Sequence, residues 1–124
     1  MTDPSPALRV LVADDDDLLR DVLADVFTDD GRLEVIAAVG DAEAAVRAAQ
    51  QHRPPLALVD VRMPGGGGAR VARELRTLSP GTRVVALSSH DDRASIAEMF
   101  RAGAVSYLVK GEATNRDIVS TLLR

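Results

Sequence analysis

Five short apolar segments alternate with stretches of helical periodicity along this chain, and this alternation constrains the fold more than any other feature. The segments occupy 8–13, 33–39, 56–59, 82–87 and 105–109. Their residues are apolar almost throughout instead of alternating with polar ones, which is typical of parallel strands that helices cover on both faces. Five units are too few for an eight-fold barrel. The sequence therefore predicts an α/β fold, a doubly wound (βα)5 domain with one five-stranded parallel sheet.

Capping and helix-breaking residues bound the helical stretches. Asp16 or Asp17 is placed to cap the first helix, and Asp41 caps an alanine-rich second helix that ends near residue 51, before Pro54 and Pro55. The remaining helices are predicted over about 69–78, 91–101 and 115–124. With right-handed crossovers, the common open strand order is 2-1-3-4-5, the flavodoxin-like arrangement. This order places strands 1 and 3 side by side.

Size, charge and composition narrow the class of protein. The 124 residues suffice for one domain, and we expect an N-terminal leader at 1–7 followed by a folded domain at 8–124. A net charge of −4 with scattered arginines gives no general attraction to nucleic acid, so direct nucleic-acid binding is not expected. The chain has no cysteine and no apolar run of membrane-spanning length. We therefore predict a cytoplasmic protein without membrane contact.

Polar and charged residues occur where four of the predicted strands end. Asp14 and Asp15 follow strand 1, Asp60 follows strand 3, and Lys110, the only lysine, follows strand 5. Ser88 adds a hydroxyl at the end of strand 4. The carboxyl ends of parallel strands share one edge of the sheet, where such folds bind ligands. These groups are therefore predicted to converge.

This combination of groups predicts a site for a divalent cation and a phosphoryl group. Two carboxylates about 5 Å apart repel by about 3 kcal/mol at an effective dielectric constant of about 20, so the cluster favours a cation or a proton. Oxygen ligands without histidine or cysteine suit Mg²⁺. Asp60 is the candidate nucleophile, since a carboxylate can accept a phosphoryl group as an acyl phosphate. Lys110 and Ser88 would stabilise the transferred oxygens.

Each group also has a simpler interpretation when it is taken alone. The run from Asp14 to Asp17 is compatible with a solvated turn and a helix cap, and capping is the expected role of Asp16 and Asp17. An acid at one strand end is common, and Ser89 would serve a turn as well as Ser88. The site prediction rests on four strand ends that supply four complementary groups.

The residues at these strand ends resemble those of the receiver domain of bacterial two-component response regulators, the CheY-like domain. The matching segments are V-L-V-A-D-D at 10–15, L-V-D-V-R-M-P-G at 58–65, A-L-S-S-H-D at 86–91 and G-A-V-S-Y-L-V-K-G at 103–111. Each segment alone would be weak, but the four in this order are specific. The resemblance covers nearly the whole chain.

The resemblance implies a phosphorylation-activated signalling switch rather than an enzyme, apart from its own phosphorylation and slow dephosphorylation. Asp60 would accept a phosphoryl group from a sensor histidine kinase. Mg²⁺ would be held by Asp14, Asp15, Asp60 and the backbone carbonyl of Arg62. The resemblance thus implies one cofactor, Mg²⁺, and one upstream protein partner.

The resemblance also implies how the domain responds to the phosphoryl group. Ser88 and Lys110 would bind its oxygens, and Tyr107 would be the switch aromatic that turns inward as Ser88 moves. The surface of helix 4, strand 5 and helix 5 would then control an output domain or partner, or form a homodimer. The side chains of Arg62 and His90 would tune the lifetime of the acyl phosphate, although His90 is alternatively a surface residue beside a helix cap.

Some positions depart from the usual family pattern. Ser88 stands where threonine is also frequent, and Lys110-Gly111 replaces the common Lys-Pro, so a cis peptide bond cannot be assumed there. The Lys-Gly pair and Arg62 resemble the subfamily that often carries a LuxR-type helix-turn-helix output. Four glycines at 65–68 replace larger side chains. We interpret them as a loop that is mobile without phosphate and Mg²⁺, or alternatively as a permissive surface loop.

Other classes of protein match parts of the pattern. A Mg²⁺-dependent aspartyl-phosphate phosphohydrolase of the haloacid dehalogenase type needs a second acid two residues after its nucleophile, where this chain has Arg62. A flavodoxin-like cofactor-binding module needs a phosphate-cradling loop after strand 1, where this chain has four acids. A pseudo-receiver that takes no phosphate would not need the full set of acids, Ser88 and Lys110. The signalling switch is therefore the preferred interpretation.

Overall fold

Five strands and five helices alternate along the chain in the computed structural model, which describes residues 6–124. The strands are β1 (Leu8–Ala13), β2 (Leu33–Val39), β3 (Leu56–Val59), β4 (Arg83–Ser88) and β5 (Ser106–Val109). The helices are α1 (Asp17–Asp30), α2 (Ala42–His52), α3 (Gly67–Leu78), α4 (Arg93–Ala102) and α5 (Asn115–Leu123). Residues 1–5, which make up most of the predicted leader, lie outside the described residues. Within residues 6–124, no helix combines the length and the apolar composition needed to cross a bilayer.

All five strands belong to one parallel sheet in the order β2-β1-β3-β4-β5. The predicted fold class and strand order are therefore confirmed. Ala13 at the end of β1 pairs with Val59 at the end of β3, so the loops that follow these two strands leave the sheet side by side. A register shift between Val10 and Leu11 interrupts the pairing of β1 with β2 but leaves its pairing with β3 regular. The central strands thus end at a common edge.

Alternate strand residues contribute to two separate cores, one on each face of the sheet. On one face, Val10 and Leu58 pack with Phe27 of α1 and with α5, and the buried residues described there include no alanine. On the other face, Val59 packs with Met99 of α4 and with α2 and α3, and more than half of the buried residues are alanine. Large side chains therefore fill the space beneath α1 and α5, whereas small ones let α2, α3 and α4 approach the sheet closely.

Three helix starts refine or correct the sequence prediction. α4 starts two residues later than predicted, because Asp92 is its N-cap and accepts a hydrogen bond from the Ser95 amide at 3.0 Å. α3 starts two residues earlier than predicted, at Gly67, so half of the four-glycine segment is helical. Of the two candidate caps of α1, Asp16 is the one used, and it accepts from the Leu19 amide at 3.1 Å.

Candidate functional site

Two buried aspartates lie at the carboxyl edge of the sheet, one after β1 and one after β3. The Asp14 amide donates to the Val39 carbonyl of β2 at 2.9 Å, and the Asp60 amide donates to the Ala13 carbonyl of β1 at 2.8 Å. Sheet hydrogen bonding therefore continues through both residues and fixes where their side chains begin. Asp14 is 3% exposed and Asp60 is 6% exposed, whereas the neighbouring Asp15 is exposed to solvent.

The carboxylates of Asp14, Asp15 and Asp60 form a cluster in which one oxygen of each lies within 4.8 Å of the others. Lys110 reaches this cluster from the end of β5, with its Nζ 2.7 Å from Asp14 Oδ2 and 3.2 Å from Asp60 Oδ2. The Lys110 amide donates to the Ser88 carbonyl at 2.8 Å, which holds the lysine beside β4. The four charged residues that we predicted to converge thus lie together, while their chemical roles stay predictions.

The acidic cluster perturbs the ionisation of its members. Desolvation, and then the negative charge of Asp14, raise the pKa of Asp60, although the Lys110 ammonium and the Arg62 amide, 3.3 Å from Asp60 Oδ1, oppose this shift. Burial by itself lowers the pKa of Lys110, but the hydrogen bond to Asp14 and the charge of Asp60 outweigh burial and raise it overall. Lys110 therefore stays charged, yet three carboxylates outnumber its one ammonium group.

The donor set of this cluster fits a hard divalent cation. The cluster consists of carboxylate oxygens, with no histidine or cysteine among the described residues that form it. Mg²⁺ prefers oxygen ligands, keeps several waters and commonly uses one or two carboxylates. Because Asp15 is exposed, one side of the cluster is open to solvent. Asp14, Asp15 and Asp60 are thus the residues that could hold Mg²⁺.

The backbone of His90 connects the two candidate switch residues. Ser88, the last residue of β4, is fully buried, and its Oγ accepts a hydrogen bond from the His90 amide at 3.1 Å. The Tyr107 hydroxyl donates to the His90 carbonyl, and the Tyr107 side chain packs against the core on the α3 and α4 side. Burial raises the pKa of Tyr107, so the hydroxyl keeps its proton. Sequence reasoning considered only the exposed side chain of His90 and missed its backbone.

The four-glycine segment joins β3 to α3 directly beside Asp60. A Cβ on Gly68 would lie 2.5 Å from the Asp60 carbonyl oxygen, and a Cβ on Gly67, whose φ is +71°, would lie 2.4 Å from the Val61 carbonyl oxygen. The Gly68 amide also donates to the Val61 carbonyl at 3.0 Å. The interpretation of this segment as a permissive surface loop is therefore wrong for its second half, which packs closely against the backbone of the site.

The first half of the glycine segment is exposed and lies beside Arg70. Arg70 Nη1 donates to the Gly65 carbonyl at 2.8 Å, while the same guanidinium pairs with Glu43 of α2 at 2.7 Å and with Glu74 of α3 at 2.6 Å. These contacts tie the loop to two helices. The hypothesis that the whole segment 65–68 is mobile without phosphate and Mg²⁺ stays a prediction.

Arg20 of α1 contacts the acidic segment, and sequence reasoning did not identify it. Its Nη1 donates to the Asp14 carbonyl at 2.6 Å, and its Nη2 pairs with the Asp17 carboxylate. The one available signal was the spacing of Asp17 and Arg20, three residues apart on a predicted helix, which is a distance at which opposite charges meet.

Two expectations concern single backbone groups. The Arg62 carbonyl, a predicted metal ligand, has no contact that assigns this role, so the role stays a prediction. Within residues 6–124 no peptide bond is cis, and the bond between Lys110 and Gly111 is therefore trans.

Comparison with known proteins gives consistent matches. The family model described as the response regulator receiver domain matches residues 10–122. The probable transcriptional regulatory protein NarL of Mycobacterium tuberculosis is 36% identical over 124 residues, which cover 99% of this chain and 57% of that protein. The response regulator GacA of Pseudomonas viridiflava is 34% identical over 104 residues, which cover 84% of this chain and 49% of that protein. This chain thus spans about half the length of the curated relatives it matches.

A solved structure gives the same result in three dimensions. The signal receiver domain of the putative response regulator NarL from Mycobacterium tuberculosis matches with a TM-score of 0.89 and 35% identity, covering 94% of each chain. The family match runs from β1 to α5 and includes every residue of the candidate site. The resemblance drawn from four short segments is confirmed, and this chain belongs to the response regulator receiver domain family.

Proposed function

We propose that this chain is a phosphorylation-activated signalling switch in which Asp60 accepts a phosphoryl group from a sensor histidine kinase in the presence of Mg²⁺. Receiver domains of two-component systems are phosphorylation switches in general, and this chain belongs to their family. The observation that carries the choice of Asp60 is its position. It is a buried carboxylate within 4.8 Å of the Asp14 and Asp15 carboxylates and 3.2 Å from Lys110 Nζ.

The transfer step needs an ionised Asp60. One carboxylate oxygen attacks the phosphorus of a phosphohistidine, an O–P bond forms, and the N–P bond breaks as the imidazole leaves with the bonding electron pair. Lys110 opposes protonation of Asp60 and would bind a phosphoryl oxygen. Mg²⁺ bound by Asp14, Asp15, Asp60 and the Arg62 carbonyl would offset the charge on the phosphoryl oxygens.

The proposed conformational change passes through Ser88, His90 and Tyr107. When the Ser88 hydroxyl turns to bind a phosphoryl oxygen, it gives up the 3.1 Å hydrogen bond from the His90 amide. The His90 carbonyl accepts the Tyr107 hydroxyl, so movement of His90 releases Tyr107 to turn inward. Phosphorylation thereby shifts the population between two conformations of the surface formed by α4, β5 and α5.

The names of the relatives support an output in gene regulation. NarL of Mycobacterium tuberculosis is named a probable transcriptional regulatory protein, and this chain corresponds to 57% of its length. We place the effect of phosphorylation on an output domain of the LuxR-type helix-turn-helix kind, on a separate partner or on a homodimer formed through α4, β5 and α5. A cytoplasmic location, where a kinase has access to ATP, is part of the same proposal.

The side chains of Arg62 and His90 are proposed to tune the lifetime of the acyl phosphate. Both are exposed, two residues beyond Asp60 and Ser88 respectively. Their position lets them obstruct or orient the water that hydrolyses the acyl phosphate. The decay rate of the phosphorylated protein in an Arg62→Ala, His90→Ala double variant measures this effect, and a rate equal to that of the wild type would contradict it.

Intact mass after incubation with a small phosphodonor tests the central proposal. Wild type with Mg²⁺ is expected to gain the mass of one phosphoryl group, whereas Asp60→Asn gains none. Asp25→Asn is the matched control, because Asp25 is an exposed acid of α1, and it is expected to label like wild type. Equal labelling of wild type and Asp60→Asn would overturn the choice of phosphoacceptor.

The same labelling, together with a measurement of phosphate released from a phosphate ester, separates the switch from its alternatives. A phosphohydrolase would turn over many equivalents of a phosphate ester, and a pseudo-receiver would take no label at all. The position two residues after Asp60, where the haloacid dehalogenase type needs an acid, holds the exposed Arg62. The second acid that such a phosphohydrolase needs is therefore missing at that position.

A further inference from the structure

Arg20 is a cation that α1 places against the acidic segment after β1. Its side chain is only 20% exposed, and its Nη1 donates to the Asp14 carbonyl at 2.6 Å. Its Nη2 pairs with the Asp17 carboxylate. On the other side lies Gly40, after β2, where an added Cβ would lie 3.1 Å from Arg20 Nη1. The guanidinium is therefore held between the loops that follow β1 and β2.

The four consecutive acids, at 14–17, differ in the groups that they contact. Asp16 is bound to its own helix as the N-cap, and Asp17 is bound to Arg20. Asp14 and Asp15 are the two that belong to the carboxylate cluster. The segment thus contains two carboxylates outside the cluster, and one of them, that of Asp17, is paired with Arg20.

A second cation near a metal site would by itself repel the metal, so the geometry of Arg20 matters. Its charge is balanced by Asp17, and it binds the carbonyl of Asp14 rather than the carboxylate. That hydrogen bond fixes the peptide group between Asp14 and Asp15, from which both side chains project. Groups that orient metal ligands without touching the metal typically change metal affinity by about 10- to 100-fold. Orientation is therefore expected to outweigh repulsion.

We propose that Arg20 is a positioning residue that sets the composition of the metal site, because it orients the Asp14–Asp15 peptide and withholds the Asp17 carboxylate. The inference rests on the proposed Mg²⁺ site. A released Asp17 would add oxygens from the first turn of α1. Ca²⁺ accepts roughly six to eight oxygens in irregular geometry, whereas Mg²⁺ requires near-octahedral geometry and keeps several waters. Arg20 therefore favours Mg²⁺ over Ca²⁺.

Calorimetric titration of the protein with Mg²⁺ and with Ca²⁺ tests this role without any phosphorylation. Arg20→Ala is expected to bind Mg²⁺ about tenfold more weakly and to show a lower ratio of Mg²⁺ to Ca²⁺ affinity. An Arg20→Ala, Asp17→Ala double variant is expected to recover the ratio but not the Mg²⁺ affinity. Arg73→Ala removes an exposed arginine of α3 and is expected to change neither quantity.

Three results would overturn the inference. An affinity ratio in Arg20→Ala equal to that of wild type would do so, and so would a double variant that keeps the lowered ratio. If Arg20→Ala does not fold, Arg20→Lys replaces it. Lysine lacks the two separate nitrogens with which Arg20 reaches the Asp14 carbonyl and the Asp17 carboxylate, so the ratio is again expected to fall. An equal ratio in Arg20→Lys is the third such result. Wild type that binds no Mg²⁺ would instead overturn the proposed metal site together with this inference.

Discussion

At the scale of single residues, an ionised Asp60 destabilises the folded domain as long as no metal ion offsets the excess negative charge that Lys110 leaves in the cluster. Asp60 is buried, and desolvation and the charge of Asp14 raise its pKa. A carboxyl group whose pKa is higher in the folded than in the unfolded chain binds its proton more tightly when the chain is folded. The stabilising effect of this bound proton is fully present below the unfolded pKa of 3.8. It is lost as the pH rises through the raised pKa of Asp60 in the folded domain.

We predict that Asp60→Asn stabilises the Mg²⁺-free domain at neutral pH by on the order of 1 kcal/mol. The substitution removes a buried charge, while Lys110 keeps its 2.7 Å contact with Asp14. The difference in the free energy of unfolding between variant and wild type should shrink as the pH falls towards the unfolded pKa of 3.8. Urea unfolding in a chelator, repeated across that pH range, measures both effects.

The control for this prediction is Asp25→Asn, an exposed acid of α1 that should show no such gain. Saturating Mg²⁺ should reverse the order, because the wild type then gains binding free energy that the variant, with one ligand fewer, gains only in part. A variant less stable than wild type at neutral pH in chelator would contradict the prediction. It would mean that the Lys110 ammonium fully offsets the cost of burying the Asp60 charge.

At the scale of elements, the start of α3 depends on the absence of side chains beside the site. The Gly68 Cα lies so close to the Asp60 backbone that a Cβ would come within 2.5 Å of its carbonyl oxygen. The first turn of α3 is therefore part of the wall that holds Asp60 in place. A first turn of α3 with side chains in place of these glycines could not approach the end of β3 so closely.

We predict that Gly68→Ala lowers the free energy of unfolding by about 1–3 kcal/mol, as overpacking typically does, and also slows phosphorylation of Asp60. The added methyl group must displace either the start of α3 or the Asp60 backbone. Gly81→Ala is the matched control, since a Cβ there meets nothing within 4 Å. Thermal unfolding and the labelling rate with a small phosphodonor are the measurements, and equal behaviour of the two variants would exclude the proposed contact.

Element boundaries were predictable from the sequence where local signals decide them. The predicted bounds of β1, β2 and β3 agree with the structure, because each apolar run ends at residues that cannot continue it. The start of α4 was missed because Asp91 and Asp92 are both competent caps, and only the backbone geometry selects between them. The start of α3 was missed because glycine is a poor helix former, whereas the close contact with the sheet requires it.

At the scale of the whole molecule, a short chain of contacts links the acidic edge to a distant surface. Ser88 ends β4, His90 precedes α4, and Tyr107 lies in β5. Hydrogen bonds from the His90 amide to Ser88 and from the Tyr107 hydroxyl to His90 join these elements. A change at Ser88 therefore reaches two of the three elements of the proposed output surface without involving the rest of the fold.

We predict that Mg²⁺ with beryllofluoride, a phosphoryl mimic, changes amide hydrogen exchange in 88–93 and in β5, and leaves β1 nearly unchanged. The reason is that the mimic competes for the Ser88 hydroxyl. Mass-spectrometric exchange measures this, and sedimentation of the same samples reports any dimer. Asp60→Asn under identical conditions is the control and should show no change. Unaltered exchange in both 88–93 and β5 in a wild type that has bound the mimic would contradict the proposed path.

The charged members of the site could be predicted from the sequence, but their supporting contacts could not. Asp14, Asp60 and Lys110 converge because parallel strands end at one edge, which follows from topology alone. The contact of Arg20 with a carbonyl and the two backbone bonds of His90 depend on side-chain reach and loop conformation, which periodicity does not encode.

The unequal side-chain sizes on the two faces of the sheet have a mechanical consequence. Under α1 and α5, interlocked leucine, valine and phenylalanine side chains resist sliding, whereas the alanine-rich face under α2, α3 and α4 offers smoother contact. We expect α4 to shift along the sheet at lower energetic cost than α1. The side of the sheet under α1 would then stay fixed, and α4 would be the element of the proposed output surface that slides.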